Sequence, residues 1–108
     1  MRPTTILRMY TAQLTLFTRA NCGLCDVAKA RLAEVQKKRT VDYQEVDIMK
    51  DENKKYRNMY EFDVPVLHVE RVFHTYSKPN IVTQPKKLMH RFQVEEVEKL
   101  VDEAEQGT

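Results

Sequence analysis

The chain holds only two cysteines among its 108 residues, Cys22 and Cys25, in the stretch "RANCGLCDVAKARL". Two thiols with Gly23 and Leu24 between them have three uses. As a dithiol they can close to a disulfide and reopen, moving two electrons. As thiolates they are half of a tetrahedral zinc site. As small apolar side chains one helical turn apart they can simply pack. The elements that hold them separate these uses.

Upstream, "QLTLFT" (13–18) alternates around Leu14, Leu16 and Phe17 and reads as a buried strand. Downstream, Val27, Ala28, Ala30, Arg31, Leu32 and Val35 are spaced as in a helix, in Ala-, Lys- and Arg-rich surroundings. Asn21 is the expected N-cap, and Lys37, Lys38 and Arg39 crowd the far end, where positive charge suits the helix dipole. The pair therefore opens a helix directly after a strand. Unpaired amides and the dipole there favour an anion. Such placement can lower a cysteine pKa from about 8.5 to roughly 3.5–7.5. Cys22, at the very edge, is assigned as the nucleophile. Cys25, one turn in, is the resolving thiol. Arg19 adds positive potential and counts with the substrate-binding residues, while Asp26 opposes it slightly. The histidines, His68, His74 and His90, show no paired ligand spacing. No metal is therefore assigned, and His68 and His90 read as packed or surface residues.

Further along, "VDYQEVDI" (41–48) alternates as a second strand, and "KDENKKYRNMYEF" (50–62) fits a short helix through Tyr56, Met59, Tyr60 and the flanking Phe62. "DVPVLHV" (63–69) is a third strand with Pro65 near its start, where a missing donor is tolerated. From Glu70 to Lys87 the pattern fails: Pro79, Asn80 and Pro85 argue for a loop, while Val72, Phe73, Ile81 and Val82 could extend or pair briefly. Within it Phe73, Tyr76 and Ile81 are the residues to watch for partner contact. "KLMHRF" (87–92) is a fourth strand and "QVEEVEKLVDEAEQ" (93–106) the clearest helix, with Val94, Val97, Leu100, Val101 and Ala104 on one face and Gly107 as its stop. The order is strand, helix, strand, helix, strand, strand, helix, which implies a sheet with helices on both faces.

A chain of this length suits a single domain. With 42% apolar and 31% charged residues it can build a core and solvate its surface. A net charge of +2 spread along the chain gives no footprint for nucleic acid. No run approaches the ~18 apolar residues of a membrane span. Residues 1–12 read as a flexible N-terminus or as the remnant of a basic, acid-poor targeting segment. With no secretory core, the expected setting is intracellular, mitochondrial or cytoplasmic, where two cysteines seldom form a purely structural disulfide.

These residues together resemble the glutaredoxin-like proteins of the thioredoxin-fold superfamily. The resemblance runs through "LTLFTRANCGLC", "DVPVLHV" and "LMHRF" and covers residues 13–106 as one domain. It implies an α/β, thioredoxin/glutaredoxin-like fold: a four-stranded mixed sheet flanked by three helices, βαβαββα. It also implies that Pro65 is cis and lies beside Cys22, leaving the Val64 backbone free to pair with an extended peptide or with glutathione. Two departures are plain. Where glutaredoxins carry a Gly-Gly turn and an acidic residue that hold glutathione, this chain has "HRFQVEE", leaving Glu95 or Glu96 to shape that end. The 70–86 stretch also exceeds a tight hairpin.

The expected function is thiol–disulfide exchange. Cys22 attacks, Cys25 resolves, and Arg19, Val64 and Pro65 bind the substrate. Partners are disulfide-containing proteins or glutathione, met by a monomer. No tightly bound cofactor is implied, with glutathione as a co-substrate. A second reading is a glutathione-dependent iron–sulfur cluster module, because Gly23 follows the first cysteine and a second subunit would complete the ligands. A third is a protein-binding domain with idle cysteines, using "KKR" (37–39), "KKYR" (54–57) or the 70–86 stretch.

Overall fold

The computed structural model describes residues 10–74, 79–81 and 85–106. Expectations for residues 1–9, Tyr76 and Gly107 lie outside that set.

Period-two alternation builds the centre. β1 (Tyr10–Thr18) sends Ala12, Leu14 and Leu16 to one face, each at most 1% exposed, and Phe17 to the other. The strand starts earlier than position 13, because Ala12 continues the Leu14–Leu16 face. Residues 10–12 therefore belong to the sheet and not to a flexible N-terminus. α1 (Gly23–Lys38) follows, with Cys25, Ala28, Leu32 and Val35 as its buried stripe. β2 (Asp42–Asp47) returns parallel to β1. A 3-10 turn (Asp51–Asn53) then leads into α2 (Lys54–Tyr60), so the second helix is shorter than the 50–62 pattern suggests.

β3 (Val66–His74) runs antiparallel to β1 over its whole length. It continues five residues beyond position 69, so the 70–86 stretch is not all loop, and the brief pairing expected of Val72, Phe73 and Ile81 is present. The return path is split. β4 (Pro79–Ile81) pairs with Val72, Phe73 and His74, and β5 (Lys86–Met89) pairs with residues 66–69. The partner numbers sum to 153 on the first part (72 and 81) and 155 on the second (66 and 89), so the returning chain carries two extra residues across Glu70 and Arg71. Among the described residues five strands fill four positions, in the order β2, β1, β3, then β4 and β5 end to end along β3.

α3 (Val94–Gln106) closes the fold, started by a reciprocal cap in which the Gln93 N–H donates to Glu96 Oε1 at 2.8 Å. Glu96 is thus engaged in its own helix. α1 and α3 share one face, packing Leu32, Val35, Val97 and Val101 on Leu14, Leu16, Leu67 and Val69. Full burial of such side chains contributes about 1.5–3 kcal/mol each. α2 covers the other face through Tyr60 and Tyr56 against Phe17, Ile48 and Val66. No helix among the described residues is long and apolar enough to cross a membrane.

Candidate active site

The ends of β1 and β3 that lie together hold the cysteine pair and Pro65. The register sets Phe17 against Val66. One step beyond it, the chain leaving β1 at Thr18 and Arg19 runs alongside the segment that enters β3 through Val64 and Pro65. Arg19 ties the two together, its Nη1 donating to the Glu61 carbonyl at 3.5 Å. The sheet therefore brings the Cys-x-x-Cys loop and the proline loop to one edge.

Asn21 does not cap α1. It takes a left-handed backbone, φ 59°, which asparagine tolerates better than most residues. That turn leaves Cys22 as the N-cap, with extended backbone (φ −121°, ψ 105°), and its own sulfur does the capping. Cys22 Sγ accepts the Cys25 N–H at 3.1 Å, and the Cys22 carbonyl accepts the Asp26 N–H at 3.2 Å. A sulfur that accepts an amide hydrogen is stabilised as an anion, with the start of a 16-residue helix adding its dipole. The two cysteines are joined as a disulfide, with their Cα atoms 5.2 Å apart. Burial separates them. Cys25 is 1% exposed in the α1 stripe, whereas Cys22 is partly open.

On the proline side the Val64–Pro65 bond is cis, Pro65 is buried and Val64 is partly open. The Pro65 carbonyl accepts the His90 N–H at 2.8 Å, and His90 Nε2 stands 3.8 Å from Asp63 Oδ1. His90 has φ 61°, so the turn after β5 takes the left-handed backbone that favours glycine without having one. His90 is a surface residue, as expected, and its backbone N–H fastens the proline loop. Phe62 was missed as a site residue. It is 89% exposed on that loop, with Met59 and Met89 nearly half exposed on the flanking α2 and β5. An aromatic between two acids, three residues before the proline, was the available signal. His68 is packed: Tyr60 Oη and His68 Nε2 lie 2.8 Å apart, and burial, then the nearby Lys87, hold the imidazole pKa below its ordinary value.

Among the described residues no three His, Cys, Asp or Glu side chains converge as a metal site. A family model for the glutaredoxin-like domain (DUF836) matches residues 13–102. The chain belongs to the glutaredoxin-like family. Solved structures agree on the fold of this glutaredoxin-like chain. A structural-genomics protein of X. campestris, XcR50, is 24% identical over 83% of this chain and 96% of its own, with a TM-score of 0.58. Chloroplastic thioredoxin z is 18% identical over 90% of this chain and 80% of its own, with a TM-score of 0.66. Oxidised thioredoxin O2 of Arabidopsis thaliana is 18% identical over 88% of this chain and 76% of its own, at 0.59. The chain thus has a thioredoxin fold with a Cys-x-x-Cys pair at the strand-to-helix junction, an arrangement suited to a redox role.

Proposed function

We propose that this glutaredoxin-like chain is a thiol–disulfide oxidoreductase acting on protein disulfides. The observation that carries the reading is the asymmetry of the pair. Cys22 is open and its sulfur accepts an amide hydrogen, while Cys25 is buried one turn behind.

In the reduced chain the Cys22 thiolate attacks one sulfur of a substrate disulfide. A mixed disulfide forms, and the other substrate sulfur leaves as a thiolate, which takes up a proton. Cys25 loses its proton and attacks the Cys22 sulfur. The second substrate thiol is released and the Cys22–Cys25 disulfide remains. Two electrons pass from the chain to the substrate. Two equivalents of glutathione, or one dithiol reductant of the thioredoxin type, restore the chain.

Arg19, Val64 and Pro65 are the substrate-positioning residues in this reading. The Val64 backbone at the shared edge suits pairing with an extended peptide. The exposed Phe62, Met59 and Met89 favour a protein over a small thiol as the partner, because they offer apolar area that only a polypeptide would cover.

Cys22→Ser should abolish reduction of a protein disulfide. Cys25→Ser should attack once and accumulate the mixed disulfide, seen as a mass adduct on Cys22. Full activity in Cys22→Ser would refute the assignment.

A further inference from the structure

Beside the Cys-x-x-Cys loop a polar groove of about 390 Å³ runs between α1 and the end of β2. Arg19, Lys29 and Lys50 line it together with Thr18, Ala20, Glu45 and Asp47. Ala20 is two residues from Cys22, so the groove begins within about 7.6 Å of the Cys22 backbone.

The acids in this groove are occupied. Glu45 accepts the Tyr43 hydroxyl at 2.7 Å and stands 3.8 Å from Lys29. Asp47 Oδ1 accepts the Met49 N–H at 2.9 Å, within its own turn. The cations are less engaged. Among the described residues Lys50 meets no carboxylate, and Arg19 meets only the Glu61 carbonyl. In the wall, Thr18 is 5% exposed and its hydroxyl has no hydrogen-bond partner among the described residues. With Lys29 set against Glu45, the remaining Arg19 and Lys50 outnumber Asp47, and this excess of positive charge attracts an anion.

We infer that this groove receives an acidic side chain of the protein whose disulfide Cys22 attacks. The inference rests on the thiol–disulfide reading above and deepens it. An extended chain advances about 3.3 Å per residue, so an Asp or Glu about two residues from the target cysteine reaches the Ala20 end of the groove. Lys50 and Lys29 hold its carboxylate, and Arg19 adds charge at the end nearer the sulfur.

The test uses the full chain and two disulfide peptides that differ only in Glu or Gln two residues from the cysteine. The wild type should prefer the Glu peptide by about three- to tenfold in kcat/KM, mostly through KM. The preference should shrink in 0.5 M salt, as screening predicts. Lys50→Gln should bring the Glu peptide down to the level of the Gln peptide, while Lys99→Gln on α3 keeps the preference. Equal rates on both peptides in the wild type would overturn the inference and leave the redox reading intact. So would a preference that survives in Lys50→Gln combined with Lys29→Gln. A third arm uses the glutathione mixed disulfide of the Gln peptide. If Lys50→Gln slows only that substrate, the carboxylate is that of glutathione and the protein-segment inference fails. A wild type inactive on all three substrates would overturn the redox reading, and this inference with it.

Discussion

The two faces of the sheet are built from different material. Under α1 and α3 the packing is aliphatic: Leu14, Leu16, Leu32, Val35, Leu67, Val69, Val97 and Val101 are each at most 2% exposed. Under α2 it is aromatic and partly polar. The Phe17 ring lies 4.6 Å from His68, 4.7 Å from Tyr56 and 5.2 Å from Tyr60, measured between centroids. The first face is packed almost wholly from aliphatic side chains, and it fixes the helix whose first residue is capped by Cys22. The second holds a phenol–imidazole pair that must stay hydrogen-bonded. It leads into the loop that carries Phe62 and Pro65. One face thus anchors the helix that Cys22 caps, and the other leads into the loop proposed to receive the substrate.

The largest way to break this comparison is a cavity on the aliphatic face. Leu32→Ala should cost about 2–5 kcal/mol in urea unfolding. A loss below 1 kcal/mol would mean that α1 is not anchored there. Next comes the exposed aromatic of the other side. Phe62→Ser should raise KM for a protein disulfide by about fivefold or more, the worth of roughly 1 kcal/mol of lost apolar contact. Its stability should stay within about 0.5 kcal/mol of the parent. A KM that does not move would remove Phe62 from recognition.

Tyr60→Phe should cost about 1 kcal/mol, because it leaves a half-buried imidazole nitrogen without its hydroxyl partner. The same pair gives the aromatic face a pH dependence that the aliphatic face lacks. Burial, and then Lys87, lower the His68 pKa in the folded chain below the ordinary value of about 6.5. The unfolded chain therefore binds the proton more readily. His68 contributes its full stability above pH ~6.5, and that contribution is lost as the pH falls toward the lowered pKa. Unfolding midpoints measured between pH 7.5 and 5 should fall in the parent and fall less in His68→Gln. The smallest effect concerns the α1–α3 clasp at the rim of the aliphatic face, where Arg39 Nη1 meets Asp102 at 2.6 Å with Glu98 and Glu105 nearby. Arg39→Ala should cost at most about 1 kcal/mol, decreasing with salt.

The sequence made local, periodic features legible. The β1 and α3 patterns read directly because one side of each element faces a hydrophobic surface. The Cys-x-x-Cys at a strand–helix junction marked the site for the same local reason. Contacts set by tertiary structure were not legible. Asn21 looks like a cap, and only the left-handed turn shows that the sulfur takes that role. β3 beyond position 69 alternates Glu70, Arg71 and Val72 with no clear face, because Arg71 leaves the sheet to donate to the Glu103 and Ala104 carbonyls at the end of α3. The split return as β4 and β5 depends on pairing with two parts of β3, which no local spacing announces. Phe62 and His90 gained meaning only once the proline loop and the cysteine loop shared an edge.

The most direct test of the central claim is the pKa of the Cys22 thiol, measured in Cys25→Ser by thiolate absorbance or by alkylation rate against pH. The account predicts a value well under that of free cysteine, about 7.5 or lower, because the Cys22 sulfur faces the amide that opens α1. A value near 8.5 would contradict it, since the sulfur would then gain nothing from the helix that it caps.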